Sequence, residues 1–385
     1  MSESPVAHAG RAILPPATLG VLGGGQLGRF FVIAARQMGY RVVVLDPDPE
    51  SPAGAFADRH LAAGFEDRAA LDELAAACEA ITTEFENVPA QSLAYLATMR
   101  RVAPSAECVA ISQDRIREKA ALAAGGFPLG PHAPVVQDSD LEREELYPAI
   151  LKRARFGYDG KGQARVATPQ AARLAWAGFG GVPCVLERQL ALDCEISVVI
   201  ARGEDGESAP FEAAENRHRH GILDVSIAPA RVSDALAREA QGIAARLADE
   251  LGYVGVLGVE FFVSDGRLMV NEIAPRPHNS GHYTIEACAT SQYAQQVRAL
   301  CGLPLGDARL LTPAVMVNVL GDAWRGGEPD WRAVFAEPRA KLHLYGKASA
   351  RPGRKMAHVT VLDAELGRAL EAALLLRARL GIGDD

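Results

Sequence analysis

The opening part of the chain carries the feature that most restricts the fold. Residues 18–46 read as an apolar run, the glycine-rich turn GGGQLG, an amphipathic segment and a second apolar run. This succession predicts two parallel strands joined by a helix. A further helix and a strand over residues 80–84 continue the alternation. About the first 110 residues are therefore predicted to form an α/β unit with a doubly wound parallel sheet.

The pattern of residue types changes after Pro104. A helix with a Ser/Asp start signal ends at Gly125-Gly126, and the Pro/Gly-rich connection that follows marks a candidate domain boundary. Next come a hairpin with strands over residues 149–153 and 164–167, a helix over about 169–176 and a strand over 184–190. These elements predict a small α+β unit.

The remaining sequence reads mainly as strands. Successive strands from residue 195 onward, a helix over residues 234–251 and a tight turn at Asp265-Gly266 predict an antiparallel sheet. One helix near residues 285–301, the strand AVMVNVLG and a terminal helix rich in Ala, Leu and Arg follow. The predicted fold class is thus a combination of α/β and α+β.

Charge and composition exclude some classes of function. The 385 residues carry a formal net charge of −8, which argues against a duplex-binding surface, since such surfaces are basic; we expect no nucleic-acid partner. The six cysteines show neither C-x-x-C pairs nor metal-ligand spacing and are expected to be reduced. Residues 1–17 lack a signal-peptide pattern and no apolar run suits a membrane span, which predicts a cytoplasmic protein without a membrane partner.

The glycine-rich turn suggests a phosphate site. Gly23, Gly25 and Gly28 form G-x-G-x-x-G between strand and helix, and Asp46 closes the next strand. Such a turn lets a phosphate approach backbone N–H groups at a helix N-terminus, as in nicotinamide and flavin enzymes. Glycines needed only for tight packing would give the same pattern, so this motif leaves both interpretations open.

A second glycine-rich loop lies in the predicted hairpin. Gly157, Gly160 and Gly162 allow backbone N–H groups to fold over phosphates, with Lys161 in the loop and Lys152 on the preceding strand as positive charges. A solvated surface hairpin is the alternative.

Two glutamates favour the nucleotide interpretation of this loop. Glu260 and Glu272 lie in apolar strands joined by a tight turn, which makes them plausible cross-strand neighbours. Magnesium bound to a nucleotide polyphosphate would offset the cost of burying both carboxylates. Pairing with Arg276 or a lysine is the structural alternative. Together with the loop and the two lysines, the pair indicates a Mg-nucleotide site.

Two further segments suit small anions. RPGRK contains Arg351, Arg354 and Lys355, with Lys347 upstream, and guanidinium groups suit a phosphate monoester or a carboxylate; a solvated basic turn is the alternative. In APRPHNSGH, the side chains of Arg276, His278 and Asn279 follow a strand end and could bind a small anion. His218 is either a further site residue or a solvated histidine.

In this order, GGGQLGR, GYDGKGQ, VEFF…NEIAPRPHNSGH and RPGRK closely resemble the N5-carboxyaminoimidazole ribonucleotide synthetases of the ATP-grasp superfamily, over residues 19–362. The resemblance implies an ATP-grasp fold with three parts. These are a pre-ATP-grasp Rossmann-like domain (1–112), a small lid domain (113–188) and a mostly antiparallel C-terminal domain (189–385) with an end module from about 325.

The resemblance also implies roles for individual residues. Glu260 and Glu272 match magnesium ligands. ATP binding is expected from Arg115, Lys152, Gly157, Tyr158, Asp159, Gly160, Lys161, Gly162, Gln163, Glu187, Arg188, Gln189, Leu190, Glu195, His218, Asn271 and Glu272. Substrate binding is expected from Gly25, Gln26, Leu27, Glu84, Asn87, Arg351, Arg354 and Lys355, which reassigns the glycine turn and removes the ribose role of Asp46. Catalysis is expected from Arg276, His278, Asn279 and Lys347.

The implied reaction is a carboxylation that consumes ATP with Mg²⁺. Bicarbonate would be phosphorylated to carboxyphosphate, and the amine of 5-aminoimidazole ribonucleotide would capture the carboxyl group, in purine synthesis. The family implies a homodimer. Other ATP-grasp enzymes, such as biotin carboxylase or formate-dependent glycinamide ribonucleotide transformylase, remain alternatives, as do a nicotinamide oxidoreductase, which would explain only the first βαβ unit, and a non-catalytic nucleotide-binding regulator.

Overall fold

The computed structural model describes residues 11–157 and 162–383. The first unit is a five-stranded parallel sheet with strand order β3-β2-β1-β4-β5, as the alternating apolar runs predict. Its strands are β1 (Thr18–Leu22), β2 (Arg41–Leu45), β3 (Arg59–Leu61), β4 (Ala80–Thr83) and β5 (Arg101–Val102). Its helices are α1 (Gln26–Gln37), α2 (Arg68–Ala77), α3 (Ala90–Ala97) and α4 (Ala106–Ser112).

The second unit is a small antiparallel sheet with order β6-β9-β7-β8. Thr168 caps its helix by accepting from the N–H of Ala171, with proline in the first turn, which explains why the helix begins there. The predicted strands are confirmed with boundary shifts of one or two residues. The elements are α5 (Arg115–Ala124), β6 (His132–Val135), β7 (Ala149–Arg153), β8 (Gln163–Val166), α6 (Pro169–Gly178) and β9 (Cys184–Arg188).

The third unit is a nine-stranded antiparallel sheet with the path β15-β14-β10-β12-β13-β16-β18-β17, and β11 pairs with β10. Its strands are β10 (Cys194–Arg202), β11 (Ser208–Pro210), β12 (Ala214–Arg219), β13 (Ile222–Ala228), β14 (Gly255–Ser264), β15 (Arg267–Ala274), β16 (Ala314–Leu320), β17 (Ala340–Leu344) and β18 (Lys355–Leu362). Its helices are α7 (Asp234–Glu250), α8 (Thr284–Ala287), α9 (Gln292–Leu300), α10 (Arg332–Phe335) and α11 (Leu366–Arg379).

The prediction of one helix near residues 285–301 is wrong. The chain forms α8 and α9 instead, because Cys288 leaves the helix to make a β-bridge with Leu310. Ser291 then starts α9 by accepting from the N–H of Ala294. This arrangement lets α9 pack on α1 and share a core with the first sheet.

Across residues 11–157 and 162–383, none of the helices is both long and apolar enough to span a bilayer. The six cysteines are unpaired, and five of them are buried, in agreement with reduced thiols.

A buried aromatic cluster joins the first and third units. Phe30 of α1 lies 5.2–6.0 Å, centroid to centroid, from the rings of His282, Tyr293, Tyr345 and His358, among others. The rings of His282 and His358 are stacked at 4.5 Å and fully buried. Burial lowers the pKa of both imidazoles well below the usual value. The cluster therefore holds the two units together with neutral histidines.

The neutral stack predicts a measurable effect of pH on stability. Because the folded-state pKa of His358 lies below its unfolded value of about 6.5, the unfolded state gains protons as pH falls through about 6.5 and stability is lost. In His358→Phe this contribution disappears. Between pH 6.5 and 5.5, the free energy of unfolding of wild type should fall by about 1 kcal/mol relative to the variant.

Urea unfolding at several pH values measures this difference. His220→Asn is the matched control, since the ring is exposed and asparagine tolerates its left-handed backbone (φ 52°). The control should follow wild type at every pH. A His358→Phe variant that also stays parallel to wild type would contradict the neutral stack.

Candidate active site

A cleft of about 340 Å³ lies where the three units meet. Strands of the second and third sheets form its walls, and the loop after β4 reaches into it from the first unit. Residues expected at the site that line it are Asn87, Arg115, Lys152, Gly157, Gly162, Gln163, Glu195, His218, Glu260, Asn271, Glu272, Arg276, His278, Asn279 and Lys355.

The predicted carboxylate pair is confirmed, and a β-bulge produces it. Glu260 of β14 lies directly opposite Glu272 of β15, while Phe261 pairs with Val270. Asn271 is therefore the extra, unpaired residue. Without this bulge the ladder would place Asn271, and not Glu272, opposite Glu260.

The two carboxylates have different environments. Burial and the neighbouring Glu272 raise the pKa of Glu260 to about 7. Burial also raises the pKa of Glu272, but Arg115 and Lys152 outweigh it and lower that pKa to about 2. The guanidinium of Arg115 donates to Glu272 Oε2 at 2.6 Å. The pair thus presents a fixed anion beside a carboxyl group that a bound cation would ionise.

Magnesium fits this donor set. The two glutamates offer hard oxygen ligands, and the Asn271 Oδ1 atom is buried without a hydrogen-bond partner among the described residues. Within the described part of the chain, no group of three or more His, Cys, Asp or Glu residues could hold a metal ion. The carboxylate pair therefore suits a metal whose remaining ligands are phosphate oxygens and water.

A buried charge triad joins α5, β7 and β9. Lys152 Nζ donates to Glu187 Oε2 at 2.7 Å, and Lys119 Nζ lies 3.7 Å from Glu187 Oε1. All three residues are less than 9 % exposed. Burial raises the pKa of Glu187, but the two lysines outweigh it and bring the pKa to about 2. The triad carries one net positive charge, which suits a polyanion.

His218 lines the cleft and is not a solvated histidine. Its Nδ1 atom lies 3.0 Å from Glu195 Oε2, on the neighbouring strand, and the ring is mostly buried. Burial lowers the pKa of His218, but Glu195 and Glu260 outweigh burial and raise it overall. This pair lies on the same wall of the cleft as Glu260.

The segment after β15 brings three polar side chains into the cleft. Arg276 forms an ion pair with Glu86, which follows β4. His278 Nε2 lies 3.3 Å from Glu260 Oε1, and burial, with Arg276 and Lys355, lowers the pKa of His278 to about 3. The Asn279 amide is buried, and neither its Nδ2 nor its Oδ1 has a partner among the described residues. The Asn279 amide, without a hydrogen-bond partner among the described residues, lies beside the neutral His278 ring and the Arg276 guanidinium. This combination suits a small oxyanion.

The basic segment is built around the start of β18. Lys347 Nζ donates to the carbonyl of Lys355 at 2.7 Å, and Arg354 donates to the Ser349 carbonyl at 2.9 Å. Burial and Arg351 lower the pKa of Arg354. Lys355 lines the cleft, whereas Lys347, Arg351 and Arg354 are not among its lining residues.

Carboxylates occupy the glycine-rich turn. Glu84 accepts from the N–H groups of Gly25 (2.8 Å) and Gly28 (3.1 Å), and Asp46 accepts from the N–H of Gly24 (2.6 Å). Burial raises the pKa of Glu84, and the two N–H groups lower it only in part. These three N–H groups are thus already satisfied, so the interpretation of the turn as a pyrophosphate cradle is wrong.

Other expected residues lie outside the cleft lining. Glu84 lies under the glycine turn and accepts from it. Glu187 does not line the cleft but forms ion pairs with Lys152, which does, and with Lys119. Tyr158, Asp159, Gly160 and Lys161 fall outside the described residues. The remaining expected residues that do not line the cleft are Gly25, Gln26, Leu27, Arg188, Gln189 and Leu190.

Sequence reasoning missed three charged residues of the site. Glu86 pairs with Arg276, and Glu118 accepts from the N–H of Ile273 at 2.6 Å. Lys119 was also missed. Helical spacing could have identified it, since it lies four residues after Arg115 on the same face of α5.

Three family models match successive parts of the chain. Residues 16–113 match the ribonucleotide synthetase preATP-grasp domain, residues 121–293 the ATP-grasp domain, and residues 314–372 the phosphoribosylaminoimidazole carboxylase C-terminal domain. The first match covers the first unit, the second runs from the end of α5 in the second unit to the start of α9 in the third, and the last runs from β16 into α11. The combined α/β and α+β prediction and the ATP-grasp fold are confirmed.

Known proteins extend this similarity over nearly the whole chain. The N5-carboxyaminoimidazole ribonucleotide synthase of Bacillus subtilis is 43% identical over 91% of this chain and 92% of its own. That of Brucella melitensis is 44% identical over 91% and 97%. An ADP complex of an N5-carboxyaminoimidazole ribonucleotide synthetase superimposes with a TM-score of 0.91 at 42% identity, covering 95% and 98% of the two chains.

A second solved structure bears on the substrate. The N5-carboxyaminoimidazole synthase from Aspergillus clavatus, in complex with ADP and 5-aminoimidazole ribonucleotide, superimposes with a TM-score of 0.87 at 32% identity, covering 95% and 99% of the two chains. With this agreement in sequence, fold and domain order, the chain belongs to the N5-carboxyaminoimidazole ribonucleotide synthase family, the ATP-grasp ligases of that name.

Proposed function

We propose that this protein carboxylates the amine of 5-aminoimidazole ribonucleotide, using ATP and bicarbonate, to give N5-carboxyaminoimidazole ribonucleotide, ADP and phosphate in purine synthesis. The observation that carries the proposal is the cleft in which Glu260 and Glu272 face Lys152, with Arg276, His278 and Asn279 beside them. The C-terminal family match over residues 314–372 favours this reaction over that of a formate-dependent glycinamide ribonucleotide transformylase.

ATP binding is supported by the charges of the cleft. Lys152 and Arg115 lie on the side of the cleft where Gly157 and Gly162 flank the lid loop, and we assign the polyphosphate to this side. Glu195, held by His218, is assigned to the ribose, and residues 187–190 at the end of β9 to adenine. Mg²⁺ bound to Glu260, Glu272 and Asn271 would neutralise charge on the phosphates.

Phosphoryl transfer to bicarbonate requires positive charge and exclusion of water. Bicarbonate is a poor electrophile, and its oxygen attacks the γ-phosphorus to give carboxyphosphate and ADP. We assign Arg276 and the amide of Asn279 to bicarbonate binding, and Lys152 to stabilising charge on the transferring oxygens. The loop over residues 157–163 is assigned as the lid that protects carboxyphosphate from hydrolysis.

The second step is capture of the carboxyl group by the amine. The amine nitrogen forms the new C–N bond, phosphate leaves, and the amine loses a proton. Lys347 and Lys355 belong to the segment that would place the ribonucleotide, and Arg351 and Arg354 suit its phosphate. We also assign residues 25–27 and Asn87 of the first unit to the ribonucleotide, with Glu84 fixing the shape of the glycine turn.

The setting of the enzyme is also part of the proposal. We assign a homodimer that works in the cytoplasm. The six unpaired cysteines, most of them buried, suit a reducing compartment.

ADP release in a coupled assay tests the function. Turnover with Mg-ATP and bicarbonate should increase on addition of 5-aminoimidazole ribonucleotide, with one carboxylated product per ADP. Glycinamide ribonucleotide with formate, and free biotin, are the controls and should not stimulate turnover. Stimulation by either control would show that the protein is an ATP-grasp ligase with a different substrate. Absence of turnover with any acceptor would contradict an enzymatic function.

A further inference from the structure

Two buried serines lie in line behind His278: Ser280 contacts the ring, and Ser197 contacts Ser280. Ser280 Oγ lies 2.8 Å from His278 Nδ1, and Ser197 Oγ donates to Ser280 Oγ at 2.7 Å. Both serines are about 1 % exposed. The N–H of Ser280 also approaches His278 Nδ1, at 3.4 Å, where the His278 ring caps a short 3₁₀ helix (Asn279–Gly281).

The direction of these hydrogen bonds determines the tautomer of the ring. A backbone N–H can only donate, so its approach requires a lone pair on His278 Nδ1. The hydroxyls agree with this, because Ser197 donates to Ser280, which leaves the hydrogen of Ser280 for Nδ1. The ring proton is therefore on Nε2.

The backbone around His278 keeps the ring in one place. The side-chain amide of Gln292 accepts from the His278 N–H and donates to its carbonyl, both at 2.8 Å. Below the ring, a Cβ atom at Gly258 would lie 2.8 Å from His278 Cβ, so only glycine allows this approach. Because the backbone is fixed, the hydrogen bonds of Ser280 and Ser197 determine the rotation of the imidazole about its Cβ–Cγ bond.

We propose that Ser280 and Ser197 are positioning residues that hold His278 in the Nε2–H tautomer, so that it donates a hydrogen bond into the cleft. The Nε2 atom lies 3.3 Å from Glu260 Oε1, beside the place assigned to bicarbonate. His278 is thus an N–H donor to an oxyanion, and not the base that takes the proton of the attacking amine. This inference rests on the proposed function for the identity of the oxyanion only.

Nitrogen-15 NMR of the histidine side chains tests the tautomer without any turnover. In uniformly labelled wild type, the signal that disappears in His278→Gln should show a protonated Nε2 and an unprotonated Nδ1. In Ser280→Ala the same signal should shift toward a mixture of the two tautomers. A protonated Nδ1 in wild type would overturn the proposal, whether or not the protein carboxylates aminoimidazole ribonucleotide.

Kinetics test the consequence of the tautomer. Ser280→Ala should lower kcat about tenfold, the effect of losing one hydrogen bond, and leave the KM for ATP unchanged. Ser197→Ala should act in the same direction, and Ser280→Thr, which keeps the hydroxyl, should recover part of the loss. The matched control is Ser226→Ala, which removes a hydroxyl that is equally buried and donates to Asn216 Oδ1 at 2.8 Å; its kcat should equal that of wild type.

The outcomes separate positioning from general packing. A fall in kcat of the same size in Ser226→Ala would assign the effect to loss of core stability and would overturn the positioning role. Full activity of Ser280→Ala with an unchanged Nε2–H signal would overturn it as well. If Ser280→Ala does not fold, the wild-type tautomer and the Ser197→Ala kinetics still decide.

Discussion

Replacing Glu272 by glutamine is expected to lower kcat by about a thousandfold or more. Glutamine keeps the shape and the strand pairing but removes one of the two carboxylates assigned to the metal, and with it the anion that binds Arg115 at 2.6 Å. Loss of one electrostatic stabiliser of a transferring group costs on the order of 10²–10³ in kcat, and here both a metal ligand and the partner of an arginine are lost. Steady-state ADP release measures the effect.

Asp265→Asn is the matched control for Glu272→Gln. It removes the same charge from the same hairpin, at the exposed turn between β14 and β15, and should leave kcat unchanged. Titration calorimetry with ATP, with and without Mg²⁺, adds a measurement that does not depend on turnover. The variant should lose the part of the ATP affinity that depends on Mg²⁺, and normal turnover or an unchanged magnesium effect would count against the metal assignment.

The sequence predicts this carboxylate pair for a local reason. The Asp265-Gly266 turn has φ values of 50° and 68°, as a two-residue hairpin turn requires, and such a turn determines which residues of the two strands pair. Counting back from the turn, however, places Asn271 opposite Glu260. A β-bulge, which the turn spacing does not show, shifts Glu272 into register, so the pairing was predictable only approximately.

The hydrogen-bond and ion-pair partners of the predicted residues could not be predicted from local sequence patterns. Glu84 reaches Gly25 across 59 residues and Glu86 reaches Arg276 across 190, so neither contact has a spacing that a sequence pattern could show. The same holds for the split between α8 and α9, which depends on a bridge from Cys288 to Leu310. Several charged residues expected at the site do line the cleft, whereas Glu86, the ion-pair partner of Arg276, was not predicted.

Replacing Lys152 by methionine is expected to weaken ATP binding by about a hundredfold and to destabilise the fold by about 3 kcal/mol. Removing one partner of a buried ion pair costs on the order of 3–5 kcal/mol, and Lys119, 3.7 Å from Glu187, keeps the loss at the lower end. The loss of affinity follows from removing a desolvated charge next to the polyphosphate. Urea unfolding and ATP titration measure the two effects, and Lys341→Met, on an exposed part of β17, is the control for both.

The double variant Lys152→Met/Glu187→Gln separates the two roles of Lys152. Lys152→Met alone leaves the buried Glu187 carboxylate without one of its two lysine partners. Because Glu187→Gln removes that negative charge, the double variant should be more stable than Lys152→Met alone. Its ATP affinity should stay low, since no substitution restores the positive charge at the phosphates. If the double variant instead regains ATP affinity, Lys152 acts on the nucleotide only by holding Glu187. The polyphosphate would then have to be assigned to Arg115 and the lid loop.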